Sequence, residues 1–182
     1  MTVIYTSSAE IESRLPEILN SPSDNGEIKM LVVRRASNHR EIRREVFFSP
    51  EGGMEGDRWA KGKNSYDMER GDQLTLMNSR ILELIAGNDP DRMALAGDNI
   101  VADFDLRDEN LVAGQQLQAG EVVLEVTEVP HKGCVKFSQR FGPEALKFIN
   151  TPSNRHLHLR GIYVKVVSPG IIRVGDSIRK IS

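Results

Sequence analysis

The chain has 182 residues, 24 of them Lys or Arg and 26 Asp or Glu, giving a net charge of −2, and 39% of it is hydrophobic. That size and balance fit a single ordinary globular domain over 1–182 and exclude a general attraction to nucleic acid or anionic lipid, so any anion site must be local. One cysteine cannot close an internal disulfide, no apolar run nears the ~20 residues of a membrane span, and the start lacks the basic-then-apolar pattern of a secretory signal. A reducing, cytoplasmic setting is the expectation.

Residues 7–20 read as a first helix: Ser7 or Ser8 caps it, Ile11, Leu15 and Ile18 recur at helical spacing, and Asn20-Ser21-Pro22 ends it, with Pro16 as an irregularity. Residues 29–34 then read as a strand and 43–48 as its hairpin partner across the turn at Ser37-Asn38-His39-Arg40. Arg34, Arg35, Arg40, Arg43 and Arg44 cluster there with Glu41 and Glu45 interleaved, which reads as a solvated hairpin face, although the same arginines could touch phosphate. Residues 49–71 are rich in glycine, charge and turn formers and read as one long loop carrying Trp59, of the kind usually tied to function.

A short strand over 73–77 leads through Asn78-Ser79 into a helix ended by Gly87, and the turn at 95–98 leads into a strand over 99–102. The second half is strand-rich, with segments at 116–117, 121–129, 161–167 and 171–181, the last interrupted at Gly175-Asp176. Between them 143–149 reads as a short amphipathic helix with Pro143 in its first turn. Many short strands with few short helices imply a mainly β fold, a β-barrel with helical decoration.

The lone Cys134 stands in Pro130-His131-Lys132-Gly133-Cys134-Val135-Lys136-Phe137. A histidine and two lysines nearby can favour the thiolate, the form that attacks electrophiles and binds soft metals; a small buried hydrophobe is the alternative. His131, three residues before it, is a candidate base or thiolate partner. His156 and His158 would share one face if 155–158 is extended, but no third ligand stands at metal-binding spacing. Asn99 follows a glycine and could bond a heterocycle edge or close its own turn. Arg58, Lys136, Arg140 and Arg160 are the cations best suited to a phosphate.

Read in order, Leu95-Ala96-Gly97-Asp98-Asn99-Ile100, Asp108-Glu109-Asn110-Leu111 with Gly114, residues 119–127, the cysteine segment, 160–167 and 170–176 resemble the MOSC domain, named for the C-terminal part of molybdenum cofactor sulfurase. Gly56-Asp57-Arg58 and 73–77 extend the resemblance upstream, so that it covers about half the chain and more. The resemblance implies a barrel like the one inserted in pyruvate kinase and a site for the molybdenum cofactor. It makes Cys134 the metal ligand or sulfur carrier and places Arg58, Asp98, Asn99, Lys136, Arg140 and Arg160 against the cofactor. Two departures stand out: Gly97-Asp98-Asn99 replaces the family's common Gly-Glu-Asn, and Arg58-Trp59 stands where many members carry a histidine.

The function implied is a molybdenum-cofactor oxidoreductase that reduces small N-hydroxylated or related substrates. The chain has no cysteine cluster and no nucleotide-binding glycine motif, so electrons must come from a partner reductase. The alternative is a carrier that holds a persulfide sulfur, supplied by a sulfur donor protein, or the cofactor itself, without turnover. A thiol nucleophile with His131 as base ranks last, because no third orienting group is identifiable.

Overall fold

The computed structural model describes residues 5–61 and 71–181; part of the expected 49–71 loop therefore lies outside the described residues. The elements run α1 (Ser8–Leu19), β1 (Gly26–Ala36), β2 (His39–Arg43), β3 (Glu45–Ser49), β4 (Gly53–Met54), β5 (Leu74–Asn78), α2 (Ser79–Ala86), α3 (Pro90–Ala94), β6 (Ile100–Asp103), β7 (Gln116–Ala119), β8 (Val122–Val126), α4 (Val135–Phe141), α5 (Pro143–Asn150), β9 (Ile162–Ser168), β10 (Gly170–Arg173) and β11 (Ser177–Ile181). Two 3₁₀ turns, Arg58–Lys61 and Pro152–Leu157, join them.

Seven strands close into a barrel in the order β11-β7-β8-β9-β5-β6-β1, with β1 returning to β11, and β2 hangs on β1 outside the ring. Among the described strands only β5 and β6 pair in parallel, with α2 and α3 forming the crossover between them. A second sheet, β10-β3-β4, lays Val46, Phe48, Met54 and Ile172 onto the barrel interior.

Strand alternation sorts the residues into two cores. On β5, Leu74 and Leu76 point into the barrel while Met77 points out; on β6, Ile100 and Ala102 point in while Val101 points out. On β1 a register shift between Ile28 and Met30 puts Ile28, Leu31 and Val33 inside and Met30 and Val32 outside. That outer face is covered by Ile11 and Ile18 of α1, Ile81, Leu82 and Ile85 of α2, Phe137 and Phe141 of α4, and Ile149 of α5. Gly161, at φ 90°, closes the approach of β9 to β5: a Cβ there would run into the Leu76 carbonyl.

Several sequence expectations are corrected. The partner of β1 is β2, which ends at Arg43, whereas β3 leaves for the second sheet. Residues 49–61 are not one loop, because β4 and a 3₁₀ turn occupy them. Strand β8 stops at Val126, and α3 and α4 fall where no helix was read. Residues 155–158 are not extended: they finish a 3₁₀ turn, with His158 left-handed at φ 48°. Among the described residues, no helix is long and apolar enough to cross a membrane.

Candidate functional site

Strand β1, the start of β2, the 3₁₀ turn at Arg58 and helix α4 bring Arg34, Arg40, Arg58 and Arg140 into one neighbourhood that includes Asp57. Arg34 donates to Asp57 three times, from its backbone N–H and Nε to Oδ2 at 2.9 Å each and from Nη2 to Oδ1 at 3.0 Å. Trp59 N–H and Asn99 Nδ2 add bonds at 2.9 and 3.0 Å. Burial pushes the Asp57 carboxyl up, but Arg34 and the N–H donors outweigh it and hold the group below its ordinary value.

Arg40 has no such partner. Its Nη1 donates only to the carbonyls of Ala36 and His39, at 3.0 and 3.3 Å, and its Nε is buried with no hydrogen-bond partner. The guanidinium lies over Gly97, at φ 80°, where a Cβ would stand 3.2 Å from Nη2. Burial, then the charges of Arg140, Arg58 and Arg34, lower the Arg40 pKa to about 10. Four guanidinium groups thus share one neighbourhood, in which Asp57 is the carboxylate that acts on Arg40, and the surplus is positive. Arg140 is steered there by bonds to Leu95 O at 2.5 Å and Asn38 Oδ1 at 2.9 Å.

Asp98 and Asn99 are buried beside this space. Asp98 is 1% exposed and takes both its bonds, at 2.7 and 2.9 Å, from Arg160 Nη1. Burial pushes its carboxyl up and Arg160 pulls it back. Asn99, fully buried, donates to Asp57 and to Val32 O and accepts from the Thr75 backbone N–H, tying β1, β5 and β6 to the Asp57 turn. The strong bonds at these two positions go to the chain itself.

His131 lies against β9. Its ring tilts against Tyr163 with centroids 4.5 Å apart, and Nδ1 is buried without a partner. Burial, with Arg160, Arg34 and His158 repelling a proton, lowers its pKa to about 2. A histidine held neutral that firmly neither stabilises a thiolate as a cation nor takes a thiol proton. Cys134 is exposed at the N-cap of α4, and Lys132 and Lys136 are exposed around it. His158 pairs instead with Asp108, Nε2 to Oδ1 at 2.6 Å.

Arg34 and Arg40 are the residues that sequence reasoning misplaced, since they line the basic site instead of a solvated face. The signal for them was Gly56-Asp57-Arg58, a buried acid that needs a cation. Tyr163 had no sequence signal beyond its place in β9. Among the described residues, no group of three or more His, Cys, Asp or Glu is placed to hold a metal ion by itself, so a metal at Cys134 would need ligands from a cofactor.

No curated protein matches the chain. Among solved structures, the YuaD protein from Bacillus subtilis superposes with a TM-score of 0.60 at 18% identity, over 85% of this chain and 94% of that one. YiiM from Escherichia coli does so with 0.55 at 16%, over 86% and 70%, and YiiM from Geobacillus stearothermophilus with 0.57 at 14%, over 86% and 75%. At those identities the likeness speaks for the fold. The family model of the MOSC domain matches residues 70–179, from just before β5 into β11, and so spans most of the barrel, Arg140, Arg160 and the cysteine segment. The chain belongs to the MOSC domain family, which is associated with the molybdenum cofactor.

Proposed function

We propose that the protein holds the molybdenum cofactor by its phosphate at the Arg34–Arg40–Arg58–Arg140 cluster, with Cys134 as the thiolate ligand to the metal. The observation that carries this reading is the unpartnered, buried Nε of Arg40 among like charges. A site built that way is incomplete without an anion, and a phosphate offers oxygens in the geometry a guanidinium fork accepts. The residues present also fit the group in kind, because an exposed thiol supplies a soft ligand suited to a sulfur-coordinated metal.

When bound, the cofactor supplies a two-electron redox centre. The chain's own residues do the rest. Arg40 and Arg58 would neutralise the phosphate, Arg140, held by its bonds to Leu95 and Asn38, would add a cation from α4, and α4 presents Cys134 at its start. Asp57 holds Arg34 in place so that the cluster does not collapse onto a single ion pair. Reduction of an N-hydroxylated base to the amine and water consumes two electrons and two protons, and the electrons come from a partner reductase.

The test is protein made in a cofactor-competent host. Wild type should retain molybdenum, while Cys134→Ser and Arg40→Met should each lose most of it and keep the wild-type circular dichroism. Reduced by a chemical donor, wild type should turn over N-hydroxylated substrates. Equal metal content in all three proteins sinks the assignment. A second reading, a sulfur carrier, draws support from the exposure of Cys134. It predicts sulfane sulfur on Cys134 after incubation with a sulfur donor protein, and no reduction by metal-replete protein.

A further inference from the structure

A cavity of about 240 Å³ lies beside the cysteine segment, lined by Pro130, His131, Lys132, Ile149, Asn150, Arg155, His158, Leu159 and Arg160. Its wall holds three permanent cations and no carboxylate. Lys132 and Arg155 are exposed and make no ion pair with any described residue. Arg160 is nine-tenths buried; Asp98 occupies its Nη1 and Ala96 O its Nη2, but its Nε is buried with no partner. His131 Nδ1, on the same wall, is also unpartnered. Two unpaired cations at one opening, with a buried arginine behind them, are what an oxyanion satisfies.

The remainder of the lining is apolar. Ile149 and Leu159 are 4% and 3% exposed, and Pro130 stands beside them. A cavity of this size suits a small organic acid. On the far side of His131 and His158 a second cavity carries Asp108 and Glu128 and would repel the same anion. The two histidines therefore divide a cationic compartment from an acidic one.

We propose that this cationic cavity is a receptor for the carboxylate of a small organic acid, its apolar body resting on Ile149 and Leu159 and its oxygens taken by Arg160, Lys132 and Arg155. Identifying that acid as the substrate rests on the function proposed above; the binding itself does not.

The experiment uses cofactor-free protein and benzoate as the probe, followed by the ring signals of His131 and His158 in NMR titration, with benzamide as the neutral isostere. Benzoate should bind saturably and move both rings, and benzamide at least tenfold more weakly. The surface double variant Lys132→Met/Arg155→Met should weaken benzoate at least tenfold, whereas Arg40→Met should leave it unchanged. Equal binding of benzoate and benzamide, or loss in Arg40→Met with retention in the double variant, would overturn the proposal. Because no molybdenum enters the titration, its outcome stands apart from the metal analysis.

Discussion

The neutrality of His131 can be tested through stability. The group's pKa is lowered from 6.5 to about 2 in the fold, so between those values the unfolded chain binds a proton that the native chain does not. Its contribution to stability is complete above pH 6.5 and is lost as pH falls, at about 1.4 kcal/mol per unit. Between pH 7 and pH 5 the native state should therefore lose about 2 kcal/mol through this residue, or roughly 4–8 °C in Tm for a chain of this size. His131→Gln removes the titration while keeping a polar, neutral side chain. Thermal melts of both proteins at half-unit steps give the check, since His39, His156 and His158 cancel in the difference of slopes. The variant should melt lower than wild type at pH 7 and converge on it by pH 5. Parallel profiles would mean that His131 titrates in the fold as it does in the unfolded chain, and the argument that it is held neutral would fail.

Asp98→Asn should cost about 3–5 kcal/mol, because it leaves the Arg160 guanidinium buried without a counter-charge, and denaturant unfolding will show it. Gly161→Ala should cost at least about 1–3 kcal/mol from the left-handed backbone, with the clash on Leu76 O added, read as a fall in the denaturation midpoint without a change in slope. Cys134→Ser should change stability by less than about 0.5 kcal/mol, since the thiol is exposed, so that any loss of metal in that variant is a loss of ligand. Arg40→Met should leave ligand-free protein as stable as wild type or slightly more so, and should abolish the rise in Tm that inorganic phosphate gives wild type, about 2.7 kcal/mol at a hundredfold excess over Kd.

Periodicity and punctuation made most of the barrel readable. Alternation marked β8 and β9, and Asn78 and Gly87 bounded α2 as cap residues do, with Asn78 accepting from Arg80 and Ile81 and Gly87 left-handed at φ 71°. What escaped was short or depended on distant partners. Helix α4 has seven residues and an exposed valine at its start, and its only helical signal is the Phe137–Phe141 pair four apart, whose rings meet at 4.8 Å. The split of the expected hairpin at Arg43 has no local cause; it follows from Phe48 and Val46 finding the barrel interior through β10. Cys134 was legible as a position but not its surroundings, because the cations that matter come from β1, the start of β2, the Arg58 turn and α4, not from the residues beside it.

The two departures from the family's common pattern bear on the chemistry of the site. Where many members place a histidine, this chain has Arg58, which joins the charges that lower Arg40. A histidine there would be a pH-dependent ligand or donor; an arginine is a permanent cation and makes the demand for an anion absolute. At Asp98 the shorter carboxylate is buried and accepts both Nη1 bonds of Arg160. One change adds a positive charge to the open site and the other spends a negative charge inside the fold. The asymmetry runs in one direction: on the function proposed above, the ligand is taken through phosphate and thiolate, with side-chain carboxylates such as Asp57 and Asp98 holding arginines in position.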